Sequence, residues 1–149
     1  MIFRGVENQS VELKLVSYEF PNNRNVDEHD KNWLNVFIKV DSKIGKWQAI
    51  DPSLLTWEVV ELRTWFSCLA ENKEVEDKLM GFTEPNLSFE LRNECNSEIK
   101  TIRMHFNIEL LPKSAISGRE YFVDFKFNKD DLKQIVIDLS EEIKKYPER

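Results

Sequence analysis

DPSLLTWEVVELRTWFSCLA, residues Asp51–Ala70, is the longest stretch of the chain with helical spacing, and it carries two of the four tryptophans. Leu55, Val59, Leu62, Phe66 and Leu69 recur at intervals of four, three, four and three, which puts them on one face of a helix. Asp51-Pro52-Ser53 reads as a stop before that helix, because proline donates no ladder hydrogen bond and restricts the residue preceding it. Ser53 and Thr56 are both candidates to cap the first turn by accepting from a free N–H. A second row, Trp57, Glu61, Trp65 and Cys68, runs along another side, so the helix is apolar around much of its circumference. This row has two readings. It packs under a loop or a second helix, as large aromatics usually do. Alternatively, Trp57 and Trp65, flanked by Glu58 and Glu61, form part of a docking patch of aromatic anchors with a polar rim.

Upstream of the helix the pattern changes to a period of two. Trp33–Asp41 sets Leu34, Val36, Ile38 and Val40 against Trp33, Asn35, Phe37 and Lys39. Ser42-Lys43-Ile44-Gly45 is a turn and Lys46–Ile50 the return strand of a hairpin. Val11–Phe20 alternates as well, but its phase shifts at Val16, which predicts a bulge or bend. Ile2–Glu7 is a short first strand. Pro21–Asn32 is polar and without period, hence a loop; His29 within it sits among Asp27, Glu28 and Asp30 and reads as a solvated histidine.

Downstream, residues 71–85 open with Glu71, Glu74, Glu76 and Asp77, which outnumber Lys73 and Lys78. A solvated linker is the plain reading, and an acidic contact for a basic partner the sharper one. Asn86–Asn93, Ile99–Leu110 and Tyr121–Phe127 alternate as strands. The middle one directs Ile102, Met104, Phe106, Ile108 and Leu110 to one side. A closing helix spans Lys129–Tyr146, with Asn128 and Asp131 as a capping pair. Its buried stripe is Leu132, Ile135, Val136, Leu139 and Ile143, and Glu141 and Lys145 form an i,i+4 pair.

Half-apolar strands and two amphipathic helices predict an α+β fold: one mostly antiparallel sheet of six or seven strands with both helices on its apolar face. The 149 residues suit a single domain over 1–149. The uncovered sheet face would display Glu90, Arg92, Arg103, His105, Asn107, Glu109, Asp124 and Lys126.

The net charge of −6 is spread evenly, −3 in each half. That argues against nucleic acid as a partner, which requires a basic face. Cys68 and Cys95 lack metal spacing and read as reduced thiols of a cytoplasmic protein. The N-terminus has no apolar run of a signal peptide, and no stretch is long and apolar enough to span a membrane. There is no phosphate loop, GxSxG, HExxH or CxxC, so no cofactor or metal is expected. The best enzymatic candidate is His105, which would need a carboxylate from a neighbouring strand, Glu90 or Asp124, because Glu109 is too far along its own strand.

Several segments together resemble the WapI family of bacterial immunity proteins. They are Asn32-Trp33-Leu34, Asp51–Leu62 with Trp65, Leu87–Glu90, His105–Pro112, and Tyr121–Phe125 followed by the closing helix. The resemblance spans most of the chain, and DPSLLTWEV is its most specific part. It implies a non-enzymatic protein that stays in the cytoplasm and neutralises the C-terminal nuclease domain of a large toxin, in the best-known type one that cuts transfer RNA. It carries no contact residues across. The carboxylates suited to a basic nuclease cleft are Asp27, Glu28, Asp30, Glu58, Glu61, Glu71, Glu74, Glu76 and Asp77, with Trp57 and Trp65 as aromatic neighbours. Two other readings stand beside this one: a regulatory or scaffold domain with an unrelated protein partner, and a ligand-binding or enzymatic domain using the polar face around His105.

Overall fold

In the computed structural model, which describes residues 1–21 and 26–149, the chain forms eight strands and two helices. The part of the first loop at residues 22–25 lies outside the described residues. β1 (Ile2–Arg4), β2 (Ser10–Tyr18), β3 (Trp33–Ser42) and β4 (Gly45–Leu55) make one antiparallel sheet in that order. β5 (Leu79–Met80), β6 (Leu87–Leu91), β7 (Lys100–Phe106) and β8 (Tyr121–Phe127) make a second, also in chain order. α1 (Thr56–Ala70) follows the first sheet, and α2 (Lys129–Lys145) follows the second. The class is α+β, as expected, but the single sheet of six or seven strands is replaced by two sheets of four.

The two sheets share one core. The inner-face residues of both sheets and the stripes of both helices fall into one apolar cluster. Phe3, on edge strand β1, marks the junction: its ring lies 6.4 Å from Phe66 on α1, 6.0 Å from Phe89 on β6 and 5.7 Å from Phe125 on β8. Trp47 on β4 is a second bridge. It stands edge-on to Phe106, 5.4 Å away, and its Nε1 donates to the Leu110 carbonyl at 2.9 Å. A tryptophan that reaches across with its ring and satisfies its one donor is a common way to bury that side chain.

Four local expectations need correction. Asp51-Pro52-Ser53 does not stop the hairpin; β4 runs through it to Leu55. Proline is tolerated because β4 is a sheet edge, and a register shift between Leu34 and Asn35 leaves Ser53 unpaired. The helix is therefore capped by neither Ser53 nor Thr56. Ser53 donates to the Asp51 carbonyl, Thr56 donates to Asn32 Oδ1, and Glu58 reaches back to accept the Leu55 N–H at 2.8 Å. β7 ends at Phe106, and Ile108–Leu110 is a 3₁₀ turn. Ile108 adopts φ +46°, which turns its side chain outward (56 % exposed) while Leu110 stays buried. On α2 the expected Glu141–Lys145 pair is replaced by Glu141–Lys144 and Glu142–Lys145, each one turn apart.

Elsewhere the patterns hold. Leu34, Val36, Ile38 and Val40 are buried, and β2 is irregular between Leu15 and Ser17, where the phase changes. Asn128 caps α2 by accepting from Asp130 and Asp131, while Asp131 accepts from Asn128. No helix among the described residues is long and apolar enough to cross a membrane.

Candidate functional site

Four of the carboxylates singled out in the sequence converge on one groove. It lies between one face of α1, from Val60 to Cys68, and residues 74–81, and has a volume of about 620 Å³. Val60, Trp65, Val75, Leu79 and Met80 contribute its apolar surface, and Glu61, Glu74, Glu76 and Asp77 its charge; among the described residues no lysine or arginine lines it. Glu61, Glu74, Glu76 and Asp77 are all exposed. Lys73 and Lys78, their neighbours in sequence, are engaged elsewhere, with Glu71 at 2.5 Å and with Glu94 at 3.0 Å.

Trp65 builds this groove from below. Its ring is buried against Phe66, 5.1 Å away and edge-on, and its Nε1 donates to the Asp77 carbonyl at 3.1 Å. That bond ties the acidic segment to the helix. The packing reading of the second helical row holds for Trp65, and in packing it positions the carboxylates. Cys68, one turn on, also lines the groove.

The other carboxylates part company. Glu58 is 4 % exposed, and its two oxygens accept the backbone N–H groups of Leu55 and Thr83 at 2.8 and 2.7 Å. It is a buried strut, unsuited to the contact surface expected of it. Glu71 is paired to Lys73 beyond the end of α1, and that lysine holds its carboxyl below the ordinary range. Asp27, Glu28 and Asp30 form a separate cluster. Asp27 caps a turn by accepting the Asp30 N–H at 2.7 Å, and Glu28 pairs with Lys31 at 2.6 Å. His29 lies edge-on to both Trp33 and Trp57, at 5.9 and 5.4 Å, so Trp57 belongs with this loop and not with Trp65.

Asp30 also lines a second acidic concavity, of about 450 Å³, with Glu19, Asp51, Glu84 and Glu109. These come from four separate segments of the chain, and no sequence spacing could have grouped them. Asp51 receives the Asn86 amide at 3.0 Å, yet burial and the negative charge of Glu109 push its carboxyl above the ordinary range.

His105 does find a carboxylate on the neighbouring strand. Its Nε2 lies 2.9 Å from Glu90 Oε2, and Arg103 holds Asp124 through two hydrogen bonds of 2.7 and 2.9 Å. The His105 hydrogen bond and Arg92 hold the Glu90 carboxyl below its ordinary value despite some burial. The pair lies on the outer face of the second sheet, and His105 lines none of the five concavities that Asn72 and Asn96, Met1 and Asp138, Val60 and Gly81, Glu19 and Glu109, and Gln48 and Ala115 help to line. Among the described residues no group of histidine, cysteine, aspartate and glutamate is arranged to hold a metal.

A family description, the immunity protein WapI-like family, matches residues 1–147. The chain belongs to this family. No individual curated protein matches it. The resemblance carried by DPSLLTWEV and the strands thus extends over nearly the whole immunity protein, and its role is an immunity function exercised on a toxin protein. DPSLLTWEV itself holds the last residues of strand β4 and the first turn of α1, with Leu54, Leu55 and Val59 in the interior. Its specificity as a signature reflects packing.

Proposed function

We propose that this immunity protein binds the C-terminal nuclease domain of a cognate toxin in the cytoplasm, acts by binding and without catalysis, and docks through the groove between α1 and residues 74–81. The observation that carries the reading is the gathering of Glu61, Glu74, Glu76 and Asp77 around an apolar floor that, among the described residues, no cation lines. A nuclease must contact phosphates, so its substrate cleft is positively charged. An acidic protein is drawn to such a cleft by long-range attraction, which raises the association rate more than the final affinity. Desolvated apolar contact in the middle of the patch then supplies the residence time. Val60, Leu79 and Met80 fill that role here, and Asp27, Glu28 and Asp30 add to the steering field.

The test is protection. The C-terminal domain of the toxin that this reading expects to be encoded beside the immunity gene is expressed in a host with and without the immunity protein. Growth restored only by co-expression, with the two proteins co-purifying, is the expected result. Arrest in both cultures, with the immunity protein folded, contradicts the reading.

A further inference from the structure

The groove has one wall that is not a side-chain surface. β5 is the outermost strand of the second sheet and pairs on one side only, Leu79 opposite Glu90 and Met80 opposite Phe89. The Leu91 N–H donates to the Lys78 carbonyl at 2.8 Å. In an antiparallel pair, successive residues alternate between bonding to the partner strand and pointing away from it. Lys78 and Met80 therefore direct their backbone groups to β6, and Leu79 directs its N–H and C=O outward. Just before the strand, the Asp77 carbonyl meets Trp65 of α1, which holds the approach to β5 against that helix. Leu79 and Met80 both line the groove, which puts β5 and its unpaired edge at the groove wall. Among the described residues no hydrogen bond takes the Leu79 N–H or C=O.

An open strand edge is a template for another strand, and proteins ordinarily blunt it with charge or cover. Here the charge is of one sign. Leu79 is 55 % exposed and stands among Glu74, Glu76, Asp77 and, across the groove, Glu61. Such an edge repels a second copy of itself and admits a basic strand. We propose that an extended segment of the toxin bearing lysine or arginine adds to β5 as a fifth strand. Its main chain bonds to Leu79, and its cationic side chains face the four carboxylates. A helix does not satisfy this edge, because its own main-chain groups are already paired. Strand addition of this kind takes affinity from main-chain bonds and selectivity from alternate side chains. The inference rests on the groove being the toxin-docking surface and goes on to name the form of what docks.

The test uses the full immunity protein and the toxin's C-terminal domain. Amide hydrogen exchange at Leu79 is measured free and in the complex, and binding is compared for the wild type, Leu79→Ala and Leu79→Pro. Proline removes the outward N–H and leaves the bonds to β6 in place. The expected result is exchange at Leu79 slowed about tenfold or more on binding, with Leu79→Ala losing only the apolar contact and Leu79→Pro losing about tenfold more affinity than Leu79→Ala. If the complex forms but exchange at Leu79 is unchanged, strand addition is wrong while the docking reading stands. If no complex forms with the wild type, both fall. Should Leu79→Pro fail to fold, the exchange measurement alone decides.

Discussion

Glu58 shows how much a single residue can conceal. In the sequence it sits between two tryptophans as a candidate rim charge; in the fold both its oxygens are used by backbone donors of Leu55 and Thr83, joining the start of α1 to the segment before β6. Hydrogen bonds to a charged acceptor contribute more than neutral ones, and an abandoned buried N–H costs its full desolvation. Glu58→Ala should therefore lower stability by about 2–4 kcal/mol in chemical denaturation. Glu58→Gln, which keeps one acceptor oxygen, should lose less. A variant as stable as the wild type would mean the two bonds are idle. Asp51 makes the opposite prediction. Its carboxyl is raised above its ordinary 3.8 by burial and by Glu109, so the fold disfavours the ionised form. The favourable contribution is complete below the ordinary value and is lost as pH rises through the raised one. Asp51→Asn, whose amide oxygen still accepts from Asn86, should be more stable than the wild type at pH 7, with the difference vanishing at pH 3. Equal stability at both pH values would contradict this.

Element by element, the sequence was readable where one periodicity met one environment. β3, β7 and α2 alternate or repeat cleanly because each has a single buried face; the bounds of β3 and α2 match the structure to within a residue, whereas β7 stops at Phe106, four residues short of the expected end. The element joints were harder. Pro52 suggested an end to the hairpin because an edge strand that tolerates proline cannot be told from a loop without knowing its neighbours. β5 is two residues long and leaves no period at all. The division into two sheets was hidden for the same reason: one-sided strands look alike whether they share a sheet or face each other across a core. The groove was half legible. Its carboxylates stood out as a run, and Glu61, Trp65 and Cys68 as a helical row, but their meeting depends on the Trp65–Asp77 bond, which no spacing encodes. Cys68 allows the element to be probed directly. It lines the groove, whereas Cys95 lines a different hollow. Toxin binding should slow alkylation of Cys68 more than that of Cys95. Equal protection of both, or of neither, would place the interface elsewhere.

At the scale of the molecule, two four-stranded sheets and two helices close around a core that Phe3 and Trp47 stitch together. The outer surfaces are left to do different things. The face of the second sheet neutralises its own charges, with Arg103 on Asp124 and Arg92 on Glu90. The groove beside α1 does not: its carboxylates outnumber any cation near them. A protein with a net charge of −6 spread over both halves sets up a broad negative field, and the groove gives that field a place to act.

The most direct measurement is the affinity of the toxin's C-terminal domain for three forms of the immunity protein at low and at physiological salt. The first is the wild type. The second carries Glu74→Lys, Glu76→Lys and Asp77→Lys, and the third Asp27→Lys, Glu28→Lys and Asp30→Lys, each with its fold verified by circular dichroism. The groove variant should bind at least about a hundredfold more weakly, which is roughly 2.7 kcal/mol, and lose most of its salt dependence. The loop variant should lose on-rate only, by a few-fold. If the groove variant binds as the wild type does and the loop variant fails, the toxin docks beside Trp57, and the groove is not the site.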